Sequence, residues 1–249
     1  MGGGRTEGGG NDEAAATDSP SVMPRWERVR EVQPGGPLAP VHLPLFTPRM
    51  LLRTARPGDA RALATVLNDR AVSRPTLRMP YPYTLEHARR FVTRNPVQVS
   101  SGEALSLLAF AREGGELLGG TALREFDWRD RRAILGYWIA RRHWGKGLAT
   151  ESVEAVCRAG FRQLRLHRIE AKVFSFNPAS ARVLSHVGFR LEGTRRQAAR
   201  KGARWVDSQI YGLLASEFHA SGRVSGREGF PHQVEIEPCT GPRRDPPTS

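Results

Sequence analysis

The sequence predicts an α/β fold of the α+β kind, a mixed and mostly antiparallel sheet with helices packed on it. Three observations carry that prediction. Three strand-like runs follow one another between Ala104 and Ala140 with only short turns between them, one strand and two helical patterns precede this block, and helix and strand alternate after it. Short turns between successive strands favour an antiparallel meander, and the whole order, β-α-α-β-β-β-α-β-α-β-β, reads as a sheet layered with helices.

Met50 to Thr54 (MLLRT) reads as a short first strand. Pro57-Gly58-Asp59 then opens an amphipathic helix with Ala62, Leu63, Val66 and Leu67 on one face, because proline suits a first helical turn and the apolar positions recur near helical spacing. Thr84 is placed to cap a second helix, Leu85–Thr93, with Glu86 and His87 in its first turn. The runs Ala104–Arg112 (ALSLLAFAR), Glu116–Asp127 (ELLGGTALREFD) and Arg132–Ala140 (RAILGYWIA) are separated by EGG and WRDR, both compatible with hairpins. A long helix is expected from Gly147 to about Leu164, with Leu148, Ser152, Val156, Ala159 and Phe161 near helical spacing and no internal proline. Cys157 inside it reads as core filling rather than a nucleophile. Arg168–Phe174 alternates as a strand, and Asn177-Pro178 starts a helix that runs through His186 or Val187, with Gly188 just past its end. Phe189–Gly193 and Arg204–Leu214 close the domain as two strands.

The chain has 249 residues, is 39% hydrophobic and carries a formal net charge of +13. That apolar content supports one core of roughly 150 to 200 packed residues and excludes disorder of the whole chain. The expected partition is a mostly disordered Gly- and Pro-rich tail over 1–46, one folded domain over 47–219 and a disordered tail over 220–249. No run approaches the roughly 18 apolar residues of a membrane span, and MGGGRTEGGG lacks the basic-then-apolar pattern of a secretion signal, so the expected setting is cytoplasmic with no membrane partner. Cys157 and Cys239 make neither a disulfide framework nor a zinc site, and no metal is expected. Residues 47–219 hold 30 basic against 15 acidic side chains, and only Lys146, Lys172 and Lys201 of the chain's basic residues are lysine. The sequence leaves two readings of this arginine excess open: compositional drift, or attraction of a polyanion such as nucleic acid, a ribosomal surface or a multiply phosphorylated small molecule.

The segment Gly136-Tyr-Trp-Ile-Ala-Arg-Arg-His-Trp-Gly-Lys-Gly-Leu-Ala-Thr150 carries the chemistry. A strand ends near Ala140, a basic turn follows, and a helix begins near Gly147. Such a turn can direct several backbone N–H groups at an anion, with Gly145 and Gly147 removing Cβ atoms from the approach. The helix dipole and the charges of Arg141, Arg142 and Lys146 would favour a diphosphate there. The spacing is neither GxxxxGK[ST] nor GxGxxG, and the glycines alone fit a purely structural tight turn equally well.

Arg142-His-Trp-Gly-Lys-Gly147 resembles the R/Q-x-x-G-x-G/A turn of the GNAT superfamily of acetyl-CoA-dependent N-acetyltransferases. GYWI before it, GLATES after it, HRIEAKVFSFNPAS, VLSHVGFRLEG, WVDSQIYGLL and the opening FTPRMLLRTARPGDA are similar to the RimJ/RimL branch, which acetylates ribosomal-protein N-termini. The resemblance covers about residues 45–218. It implies a GNAT-like sheet with helices on both faces and a splayed central strand pair, with acetyl-CoA as cosubstrate and no metal. It further implies that the backbone of Ile139 and Ala140 lies along the pantetheine arm, and that Arg142, His143, Trp144, Gly145, Lys146, Gly147, Leu148 and Ala149 wrap the pyrophosphate. Asn177 would hydrogen-bond the pantetheine amides, and Ser180 would sit near the sulfur as proton donor to the thiolate. Asn177 as a helix cap and Ser180 as a first-turn hydroxyl are the plain structural alternatives.

Acyl transfer to an amine needs a neutral nitrogen, stabilisation of the oxyanion and a proton for the leaving thiolate. A backbone N–H at the end of the strand containing Trp138 and Ile139 is the oxyanion candidate that the resemblance implies. The base is the weak position. RimL-type relatives carry a glutamate after the L-E-G turn, where this chain has Gln197-Ala198-Ala199, and Ala-Glu-Ile-Gly-Tyr-Trp where it has Ala133-Ile-Leu-Gly-Tyr-Trp138. Glu125 is the candidate catalytic base, with its reading as an ordinary exposed strand residue beside it; Asp207, His143 and a water relay are the alternatives. The expected acceptor is a primary amine, a protein N-terminus of the ribosomal kind first, with weak electrostatic contact to RNA and a monomer or homodimer as the assembly. An aminoglycoside or polyamine acetyltransferase, or a catalytically weak acyl-CoA-binding or RNA-docking module, is the alternative.

Overall fold

The computed structural model describes residues 33–76 and 79–219. The readings of 1–32 and 220–249 as tails lie outside the described residues. Eight strands form one sheet: β1 Leu45–Phe46, β2 Met50–Arg53, β3 Leu105–Ala111, β4 Leu117–Asp127, β5 Arg132–Ile139, β6 Arg168–Phe174, β7 Arg190–Lys201 and β8 Arg204–Leu214. Their spatial order is β1-β2-β3-β4-β5-β6-β8-β7. Every neighbouring pair is antiparallel except β5 and β6. That parallel ladder runs from Arg132 opposite Arg168 to Leu135 opposite Ala171 and stops, although β5 continues to Ile139 and β6 to Phe174. The central strands therefore splay beyond Leu135.

The helices are α1 Ala60–Leu67, α2 Arg70–Ser73, α3 Leu85–Ser100, α4 Leu148–Arg158 and α5 Pro178–Val187. Strand alternation sends Leu105, Leu107 and Ala109 of β3 to one face and Leu108 and Phe110 to the other. The first face is covered by Val153, Val156 and Cys157 of α4 with Leu184 and Val187 of α5; the second is covered by Leu63, Val66, Val72, Ala88 and Val92 of α1 to α3. Among the described residues no helix is long and apolar enough to cross a membrane.

Four local departures from the expected elements have physical causes. Residues 34–46, assigned to the tail by composition, bury Leu38, Val41 and Leu43 in the first core and add β1 to the sheet edge. Helix α3 does not stop at Thr93 but continues through Pro96 to Ser100. The proline forfeits a helical hydrogen bond, while buried Asn95 accepts from the Ala55 N–H at 2.7 Å and donates to the Ser106 carbonyl at 2.9 Å. Helix α4 ends its regular part at Arg158 and widens into a π turn over Ala159–Gln163, where a Cβ on Gly160 would lie 3.0 to 3.2 Å from Leu123, Ile169 and Leu166. Strand β7 runs eight residues past Gly193, through a polar stretch exposed on both faces that offers no alternation to read.

Arg53 and Asp59 form a buried two-bonded pair at 2.8 and 2.9 Å, and the guanidinium lies 3.9 Å from the Phe110 ring centroid. The pair ties β2 to the turn that starts α1. Removing one member strands the other charge in the core. Asp59→Ala is expected to cost about 3 to 5 kcal/mol in chemical denaturation, whereas replacing both residues with apolar ones of similar volume should cost less.

Candidate active site

Strand β5 delivers the chain to a 3-10 turn, Arg141–His143, and then to α4. Gly145 and Gly147 both adopt φ of +74°, a left-handed conformation that costs glycine little. A Cβ on Gly145 would meet nothing within 4 Å, and one on Gly147 would approach only Arg49 Nη2 at 3.5 Å. The requirement for glycine is thus conformational rather than steric. Gly147 is the N-cap of α4 and no side chain caps that helix, so its first-turn N–H groups have no helical acceptor at the positive end of the dipole.

Side chains hold this turn from outside. Arg49 donates from Nη1 to the Lys146 carbonyl at 2.7 Å and from its backbone N–H and Nε to Glu151, at 2.9 and 2.6 Å. The Trp144 indole donates to the Ile139 carbonyl at 2.8 Å. Arg142 donates from Nε to Glu116 at 2.7 Å, and His143 lies 3.3 Å from the same carboxylate. Burial raises the Glu116 carboxyl, but the hydrogen bond from Arg142 and the charges of His143 and Arg142 together outweigh it and hold the group below its usual value. Arg141 stands 4.0 Å from Asp69, and Lys146 is exposed at the turn.

In an antiparallel ladder each residue directs both backbone groups to the same side. The Ala140 N–H donates to the Leu118 carbonyl of β4 at 2.8 Å and the Ala140 carbonyl accepts from His143 at 2.9 Å. Ala140 therefore has no open backbone N–H. Alternation turns Trp138 toward β4 as well and leaves Tyr137 and Ile139 facing the gap where β6 has departed. The N–H groups of Tyr137 and Ile139 then face the splay, and the Ile139 carbonyl is held by Trp144.

Across the splay, Asn177 caps α5: its Oδ1 accepts from the Ser180 N–H at 3.2 Å. Its Nδ2 amide has no protein acceptor among the described residues. Ser180 is joined to a residue that the sequence reading gave no role. Tyr137 Oη lies 2.7 Å from Ser180 Oγ and donates to the Ser180 carbonyl at 3.1 Å. Burial pushes the Tyr137 phenol up to about 12, against the opposing hydrogen bond from Ser180. Tyr137 stood inside the quoted GYWI motif, but only the packing of α5 against β5 reveals its partner. Arg49 stood inside the motif FTPRMLLRTARPGDA, but only its contacts with Lys146 and Glu151 show what it does.

The structure does not bring Glu125 to this group. Arg124 pairs with Ile134, and Glu125 occupies a bulge before Asp127 pairs with Arg132, with φ of 53° and its carboxylate 3.9 Å from Arg124. That register sets Glu125 near the closed end of the splay, roughly 13 Å along β5 from Tyr137 at 3.3 Å per residue. His143 belongs to the turn and its acid partner. Asp207 lies at the open end, accepting from the Gln197 N–H at 2.8 Å while its carbonyl accepts from Ser175. Cys157 is buried, and burial first, then the Glu154 charge, raises its thiol far above a reactive range.

A family profile described as an acetyltransferase (GNAT) domain matches residues 49–190. The uncharacterized N-acetyltransferase p20 of Bacillus licheniformis is 31% identical over 174 residues, covering 70% of this chain and 97% of the relative. The ribosomal-protein-serine acetyltransferase of Escherichia coli is 27% identical over 129 residues, covering 52% of this chain and 71% of that protein. The structure of Mycobacterium smegmatis RimJ in complex with CoA-disulfide superposes with a TM-score of 0.61 at 26% identity, covering 68% of this chain and 83% of that one.

Titration of tyrosinate absorbance should show one phenol that stays protonated until about pH 12, and Tyr137→Phe should remove that component. Because the folded phenol keeps its proton above the unfolded tyrosine pKa of about 10, stability is fully present below that pH and is lost as pH rises through the folded value.

Proposed function

This chain belongs to the GNAT acetyltransferases, and we propose that it transfers the acetyl group of acetyl-CoA to the α-amino group of a protein N-terminus, a reading supported by its similarity to a protein named as a ribosomal-protein-serine acetyltransferase. The observation that carries this reading is the meeting of two open backbone features at one end of β5: the uncapped start of α4 behind left-handed Gly145 and Gly147, and the splay from β6 beside Tyr137 and Ile139. One suits a diphosphate and the other suits an amide-bearing arm lying between strands.

Under this reading the N–H groups from Gly145 to Ala149 hold the diphosphate, and Lys146 adds charge. Arg142 is largely committed to Glu116, so backbone rather than guanidinium makes the main contact. Asn177 supplies an amide donor to the arm. The Ile139 N–H is placed to stabilise the developing oxyanion, a contribution of roughly 2.7 to 4 kcal/mol where one donor of an oxyanion hole has been removed. Ser180 turns its proton from Tyr137 Oη to the departing thiolate and is reprotonated through that phenol, the proton that the amine nitrogen loses on acylation making up the one spent. An α-amino group with pKa of about 8 is partly neutral near pH 7, so positioning and a water relay to Asp207 replace a strong base.

Gly145→Val with Gly147→Val is expected to weaken acetyl-CoA binding at least about tenfold in calorimetry, with unchanged affinity contradicting the assignment of the turn. Ser180→Ala should lower kcat by about 100-fold with little change in KM. Asp207→Asn should lower kcat/KM about tenfold at neutral pH, and the deficit should shrink as pH rises and the acceptor amine loses its own proton.

A further inference from the structure

The hairpin of β7 and β8 overhangs the end of β6. Ser208 is opposite Phe174, the last residue of β6, and Arg195 is opposite Ser208, so residues 196–207 have no β6 partner. From Ser208 to Arg204 the ribbon runs a further roughly 13 Å at 3.3 Å per residue. Its tip curls back. The Lys201 ammonium donates to the Thr76 carbonyl at 2.5 Å and lies 5.6 Å from the Phe174 ring centroid. Phe174 stacks on Phe176 at 5.3 Å, and the Arg74 guanidinium lies 5.2 Å from the Phe176 centroid. The hairpin tip, the segment after α2 and the end of β6 thus form one tied rim, at the end where β5 and β6 separate.

That rim is basic. Residues 190–205 carry Arg190, Arg195, Arg196, Arg200, Lys201 and Arg204 against a single acid, Glu192, which is bound to Arg168. Arg190 is paired with Glu217 at 3.0 Å. Arg195, Arg196 and Arg204 are exposed and have no ion-pair partner among the described residues, and Trp205 beside them is 62% exposed. A second copy of the chain added to the β7 edge would set arginine against arginine, across a register broken between Arg195 and Ala199. A polycationic small amine would be repelled. Nucleic acid shares this chemistry, but the rim stands at the end where β5 and β6 separate, beside Tyr137 and Ser180, and that position favours a peptide acceptor.

We propose that this rim is the acceptor-docking surface and that it selects protein N-termini followed by an acidic segment, with Arg195, Arg196 and Arg204 meeting the carboxylates; this rests on the reading of the chain as an N-terminal acetyltransferase. Charges at an exposed rim act mainly on encounter and on choice between partners, and they are sensitive to salt.

The test uses the full chain loaded with CoA and three fluorescent peptides that share their first two residues and continue with Asp/Glu-rich, Gly/Ser or Lys-rich segments. Fluorescence anisotropy should show the acidic peptide binding at least about tenfold more tightly than the neutral one, with the advantage shrinking at about 0.5 M salt. The triple variant Arg195→Ser, Arg196→Ser, Arg204→Ser should lose the advantage while keeping its CoA affinity and thermal midpoint. Equal binding of acidic and neutral peptides, or an advantage that survives in the triple variant, would overturn the proposal. So would a single-stranded RNA oligonucleotide that binds these arginines more tightly than the acidic peptide does. CoA release is read separately: absence of turnover with every peptide counts against the N-terminal acetyltransferase reading, while the binding contrast still decides the rim.

Discussion

Two parallel strands cannot be joined by a tight turn, because the chain must travel from the end of one back to the start of the other. In this sheet the only such pair among the described residues is β5 and β6, and the return path contains α4. The helix must therefore begin at the end of β5, and its positive terminus faces the end of the sheet where the two strands part. Antiparallel neighbours on either side, β4 and β8, keep both strands saturated on their outer edges. The separation beyond Leu135 leaves open backbone only inside the gap. One topological constraint thus places an uncapped helix start and an open strand edge side by side.

Much of the surrounding side-chain chemistry protects that arrangement. Arg49 grips the Lys146 carbonyl and Glu151, Trp144 closes back on Ile139, and Arg142 is neutralised by Glu116. These contacts fix the path of a turn whose glycines have left-handed dihedrals and little steric restraint of their own. The basic turn of the sequence is, in the folded protein, less a cluster of free cations than a framed set of amides. The pairing of Tyr137 with Ser180 does the same across the splay, joining the strand that lines it to the helix that Asn177 caps.

Periodicity made most of the sheet and the main helices legible, since β3, β4, β5 and β6 each bury alternating or continuous apolar residues and α4 and α5 bury one stripe. The capping signals were equally direct: Thr84 and Asn177 accept from the N–H groups of His87 and Ser180. What escaped depended on contacts distant in the chain. Helix α3 passes Pro96 because Asn95 is held by Ala55 and Ser106, and a Pro- and Gly-rich stretch joins the core because Leu38, Val41 and Leu43 find a surface there. The length of β7 was hidden because neither face is buried. Motif resemblance pointed to the turn, Asn177 and Ser180, while strand register sets Glu125 away from them and backbone alternation turns the Ala140 N–H toward β4, and neither register nor alternation toward a gap can be read without knowing which strands pair.

Where main-chain amides hold the diphosphate, the most direct measurement is amide hydrogen exchange, residue by residue, with and without CoA. Slowed exchange from Gly145 to Ala149 and at Ile139, with Ala140 unchanged because its N–H is already bonded to Leu118, is the predicted result. Saturation with CoA that leaves the amides of Gly145 to Ala149 exchanging as before would contradict it.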